Sequence, residues 1–137
     1  MKDDLMKKFQ AGKYKEIVTE WNRIEPVAVG NKDDRILVAF SLYSLGELED
    51  CESVCGDLLP FCESRSDFFA LYGSVLRKNG KVKDSEQIYK KGLALFPEDS
   101  AIANNYANLL IDRGSLIEAK KILTDLKESQ PSNLSDI

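Results

Sequence analysis

The sequence predicts an all-α protein, an α-solenoid of about four helix-turn-helix units, and three observations predict it. Glycines stand at positions 12, 46, 80 and 114, 34 residues apart each time, and Pro97 and Pro131 repeat that interval. Between these marks apolar residues recur at three- and four-residue spacing, as in helices that bury one stripe. A small residue recurs at the same interval in Ala39, Gly73 and Ala107, where two helices can cross closely. A fixed period of this length marks an array in which each unit buries its stripe against its neighbours.

The elements follow in order. Leu5, Met6 and Phe9 set a short helix over 2–10, which Ala11 and Gly12 stop. Tyr14, Ile17, Val18, Trp21 and Ile24 carry a second over 14–25, closed by Pro26, with 27–31 as a connection and a first unit of about 1–31. The second unit, about 32–65, places Val38, Ala39 and Leu42 on a helix over 33–45 and Leu48, Cys51, Cys55 and Leu58 on one over 47–59. Pro60 should end that helix early and leave Phe61 and Cys62 in an atypical loop.

The third unit, about 66–99, has Phe69, Tyr72, Gly73 and Leu76 over 67–79 and Ser85 and Tyr89 over 82–95, with Pro97 closing it. The fourth, about 100–133, has Ala103, Tyr106, Ala107 and Leu110 over 100–113 and Ala119, Leu123 and Leu126 over 116–129. Pro131 terminates it and 132–137 is a polar tail, so a single repeat domain spans 1–131. A solenoid end needs a polar cap, and Ile122, Leu123 and Leu126 would otherwise leave an apolar patch. Either a longer array or end-to-end self-association is expected to cover it.

Composition narrows the function. A net charge of −4, with 19 basic residues interspersed among 23 acidic ones, argues against nucleic acid as a partner. Histidine is absent, which removes the commonest general base and the commonest metal ligand. The glycines fall singly rather than in a GxGxxG or GxxxxGK run, so no phosphate-cradling loop is present, and no catalytic residue, metal or cofactor is expected. Cys51, Cys55 and Cys62 lack paired CxxC spacing and read as small core residues of a reducing compartment. The start MKDDLMKKFQ is charged and no run of about 18 apolar residues occurs, so a cytoplasmic protein with no membrane partner is expected.

The run Phe69, Tyr72, Gly73, Leu76, Ser85, Tyr89 and Pro97 resembles the tetratricopeptide repeat, and the resemblance covers nearly the whole chain. Three residues depart from it: Asp4 and Lys8 stand where apolar residues are usual, and Arg35 where a bulky aromatic is. The resemblance implies a right-handed superhelix whose first helices line a concave groove. It implies a non-catalytic scaffold that binds a peptide or protein segment there. A docking or assembly portion of a larger enzyme, such as a transferase, stays open as the alternative.

The family's groove positions fall here on Leu37, Phe40, Leu71, Ser74, Asn104, Asn105 and Asn108, with the peptide running from a solvent-facing Phe40 to Asn108. An amide both donates and accepts, which suits gripping a peptide backbone. One subgroup of the family holds carboxylate tails of chaperones with lysine, asparagine and arginine at fixed places. Counted from the second unit those places hold Ile36, Phe40, Leu71, Ala101 and Asn105, which could not form that clamp.

Overall fold

The protein is all-α. Its computed structural model describes residues 2–21 and 32–129, and among these lie eight α-helices and no strand. They are α1 (Lys2–Gln10), α2 (Tyr14–Trp21), α3 (Lys32–Ser44), α4 (Leu48–Leu58), α5 (Ser66–Lys78), α6 (Val82–Leu95), α7 (Ser100–Asp112) and α8 (Leu116–Ser129). Ile24, Pro26, the connection 27–31, Pro131 and the tail 132–137 lie outside the described residues. No described helix is long and apolar enough to cross a membrane.

One backbone device closes the first helix of every hairpin. At Gly80 φ is +82°, which only glycine reaches at little cost, and the chain turns out of α5 there. The Gly80 N–H donates to the Arg77 carbonyl at 3.0 Å and that of Lys81 to the Leu76 carbonyl at 2.9 Å, so carbonyls left over at the helix end are satisfied. Gly12, Gly46 and Gly114 share the positive φ, and the same two bonds recur at each. The 34-residue interval is therefore the spacing of one C-terminal cap.

The chain divides into two compact units, Met1–Ser64 and Arg65–Ile137. In the first, α2 lies along α3 and α1 touches both. Lys8, at an apolar place of the repeat, reaches Glu20 on α2 at 3.3 Å. Arg35 stands in the place of an aromatic and instead covers one: its guanidinium lies 5.6 Å from the centre of the Trp21 ring. The Cys51 thiol donates to the Ala39 carbonyl at 3.2 Å, tying α4 to α3. Pro60 ends α4 as expected, and Leu59–Phe61 form a single 3-10 turn. Cys62, just after it, is buried.

In the second unit α5 and α6 cross at Gly73. A β-carbon there would lie 2.6 Å from Tyr89 Cδ1 and closer still to Cε1, so only glycine admits the phenol ring. Ser85 Oγ donates to the buried carbonyl of Gly73 at 2.6 Å, a polar tie between the two helices at the crossing. Gly92 lets α6 approach its neighbours in the same way, since a β-carbon would meet Phe69 Cβ at 2.8 Å and Ile102 Cδ1 at 3.1 Å. Tyr89 and Tyr106 stack at 5.9 Å and bind α6 to α7. Asp99 caps α7, its Oδ1 accepting from the Ile102 N–H at 2.9 Å.

Candidate functional site

The seven groove residues fall on both units, and each unit treats its own differently. In the first unit Leu37 and Phe40 lie on α3, both half-buried. Phe40 does not stand solvent-facing as expected: its ring meets that of Phe9 edge-on at 6.2 Å, and Phe9 in turn meets Tyr14 at 5.5 Å. The aromatic residue of the short first helix, 31 positions earlier, already covers it.

In the second unit Leu71 and Ser74 lie on α5 and the three asparagines on α7, and these helices pack side by side. Leu71 is only 4% exposed, because Phe68, Leu71 and Val75 form one buried stripe at i, i+3 and i+7. Ser74 and Asn105 are brought together, with Asn105 Nδ2 donating to Ser74 Oγ at 3.4 Å. Ser74 Oγ also shares a proton with the Tyr89 hydroxyl at 3.3 Å, so a polar chain runs from α7 through α5 to α6. Asn105 is thereby compensated as a mid-helix amide, while Asn104 and Asn108 stay exposed.

Sequence reasoning missed Ile111. It follows Asn104 by seven residues and Asn108 by three, so all three share one face of α7, and it is 45% exposed. Its signal was that same spacing, overlooked because an isoleucine late in a helix reads as core. The face thus offers two open amides leading to one open aliphatic side chain. Arg77 of α5 pairs with Asp112 of α7, and Arg113 with Glu86 at 3.0 Å, so these flanking charges are neutralised in pairs.

Titratable chemistry is sparse. Cys51, Cys55 and Cys62 are buried and in no disulfide. The hydrogen bond with Cys51, together with burial, pushes the Cys55 thiol well above its ordinary range, away from a reactive thiolate. Burial and the Glu86 carboxylate, which accepts from its hydroxyl at 3.3 Å, push the Tyr106 phenol up from 10 to about 12. Among the described residues no group of three or more metal-ligating side chains could hold a metal ion.

The sequence profile of the tetratricopeptide repeat matches residues 52–136, more than half of the chain. The chain belongs to the tetratricopeptide repeat family. Its fold is that of several solved tetratricopeptide structures. The type III secretion translocator chaperone SycD of Yersinia enterocolitica is 23% identical, over 82% of this chain and 89% of that one, with a TM-score of 0.67. MamA matches at a TM-score of 0.74 with 12% identity, over 96% of this chain and 81% of that one. The first tetratricopeptide domain of human RPAP3 matches at 0.63 with 20% identity, over 94% of both chains. No curated protein matches the sequence. At these identities the likeness is one of fold, and the partner must be read from the side chains of this chain's own repeats.

Proposed function

We propose that this tetratricopeptide protein is a non-catalytic scaffold, and that α5 and α7 of its second unit present the face that holds an extended peptide or protein segment. The observation that carries the reading is the strip Asn104, Asn108 and Ile111, exposed on one side of α7 beside the Asn105–Ser74 pair. Two mid-helix asparagines of modest helix propensity and an open isoleucine do nothing for the fold, whereas together they suit a ligand. The amides would donate to and accept from the backbone of the bound segment, and Ile111 would take one apolar side chain of it. Burial of that side chain would contribute on the order of 1–2 kcal/mol, and each amide bond about 0.5–1.5 kcal/mol net. That a solved structure of this fold is a translocator chaperone accords with a protein partner.

The test is affinity capture from native lysate with wild type and the Asn104→Ala, Asn108→Ala, Ile111→Asp triple variant, both first shown to have equal helical content. Proteins held by wild type should be lost by the variant. Their retention should change little between about 50 and 500 mM salt, because the face has no unpaired basic cluster. Capture of the same proteins by both would refute the reading, and so would complete loss at high salt.

A further inference from the structure

The turn from α6 into α7 has a fixed shape of its own. Pro97 cannot continue a helix and disfavours helical geometry in the residue before it, so α6 ends at Leu95. The Phe96 N–H then donates to the Gly92 carbonyl at 2.7 Å, the Asp99 N–H donates to the Phe96 carbonyl at 3.1 Å, and the Phe96 ring leans on that of Phe69 at 6.2 Å. Asp99 completes the turn by capping α7 through Oδ1 alone.

This turn lines an open cleft of about 430 Å³ with Leu95, Phe96, Pro97, Glu98 and Asp99, near the lower end of ligand-site volumes. It shares no residue with the Asn104–Ile111 strip. Three of the lining residues are apolar and both charges are negative. Leu95 is 43% exposed, and among the described residues none pairs with the Glu98 carboxylate. The repeat does not demand these charges: 34 residues earlier the places of Glu98 and Asp99 hold Ser64 and Arg65, and Arg65 is paired with Asp67 at 2.7 Å.

We propose that this cleft is a docking site for a segment of a partner protein in which an arginine adjoins a large apolar residue. The guanidinium pairs with Glu98 and lies against Phe96 and Pro97, and the apolar neighbour covers Leu95. Charge complementarity selects a cation, and the ring-lined wall favours the planar, weakly hydrated guanidinium over the strongly hydrated ammonium of lysine. A small free cation would leave Leu95 open to water, so the ligand is a chain segment. Because the turn is already held by its own hydrogen bonds, little ordering on this side opposes binding. The cleft stands or falls without the α5–α7 face.

The probe is a capped tetrapeptide of glycine, leucine, arginine and glycine, titrated into the isotope-labelled chain and followed by nuclear magnetic resonance. The Leu95 methyl signals and the Phe96 and Glu98 amide signals should move on one saturating curve. Glu98→Gln, an exposed change, should weaken binding about tenfold, the scale of one charge-assisted hydrogen bond. Asp99→Asn, which keeps a capping side chain, should weaken it less. A peptide with citrulline, the uncharged isostere of arginine, should bind about tenfold more weakly than the arginine peptide, and a lysine peptide should fall between the two. The proposal is overturned if the cleft signals do not saturate, if Glu98→Gln binds as wild type does, or if the citrulline or lysine peptide equals the arginine one. It is overturned as well if Leu95 and Phe96 signals broaden on concentrating the free chain and Glu98→Gln removes the broadening, which would assign the cleft to a second copy.

Discussion

The hairpins α3–α4 and α5–α6 cross at the same register and fill the crossing in opposite ways. In the second of them Gly73 has no side chain and Tyr89 supplies a whole phenol ring; in the first, the corresponding places hold Ala39 and Cys55. The polar tie is kept in both, as Ser85 Oγ to the Gly73 carbonyl at 2.6 Å and Cys51 Sγ to the Ala39 carbonyl at 3.2 Å. The repeat therefore constrains the filled volume of a crossing rather than either residue. What one helix gives up, the other takes, as expected of interiors packed near crystal density.

The comparison is most easily broken at the ring. Tyr89→Ala should destabilise by about 3–5 kcal/mol, since it empties a fully buried aromatic site. Cys55→Ala removes one sulfur atom and should cost far less, about 1 kcal/mol. Equal losses in urea titrations would mean that the two crossings do not divide their volume as described.

Next comes the glycine. Gly73→Ala should cost about 1–3 kcal/mol by forcing its methyl group into the Tyr89 ring. Pairing it with Tyr89→Cys recreates the Ala39–Cys55 arrangement, and the double variant should be more stable than the sum of the single losses by about 0.5–3 kcal/mol. Strict additivity in this cycle would show that the residues do not share one space.

The polar ties should rank below the packing. Ser85→Ala removes the side-chain donor to the buried Gly73 carbonyl, which keeps its place in the ladder of α5, and should cost about 0.5–1.5 kcal/mol. Cys51→Ala, which removes a weaker donor, should cost less in the same urea titrations. The native Cys51 and Cys55 thiols should also react with Ellman's reagent only as fast as the unit opens, because the hydrogen bond between them and burial keep Cys55 protonated.

The smallest expected effect lies between α6 and α7. The Tyr106 phenol titrates near 12 in the folded chain against 10 unfolded, so its contribution is fully present below pH 10 and is lost as pH rises towards 12. Tyr106→Phe should flatten that part of the alkaline limb in urea midpoints taken between pH 9 and 11.5. An unchanged limb would place the alkaline sensitivity elsewhere.

Much of the fold was legible because its period is mechanical. Four glycine caps and the apolar stripes locate the hairpins, and helix ends expected at 79, 95 and 113 lie at Lys78, Leu95 and Asp112. The site was legible only in part. Periodicity states which face a residue shares, whereas exposure depends on partners far away in sequence. Phe40 is covered by Phe9, and Leu71 continues the buried stripe of Phe68 and Val75. Ile111 shows the converse, an apolar residue left open beside two asparagines. The Asn105–Ser74–Tyr89 chain joins three helices across 15 and 31 residues, and nothing in a one-dimensional pattern announces it.

The claim that the open face of α5 and α7 does the protein's work is tested most directly by nuclear magnetic resonance, with the labelled chain titrated by a peptide from a protein that wild type captures. The side-chain amide signals of Asn104 and Asn108 and the methyl signals of Ile111 should move with one saturation curve, while the backbone signals of Gly73 and Ser85 at the buried crossing stay in place. Shifts confined to α6 and α8, with both asparagine amides unmoved at saturation, would contradict it.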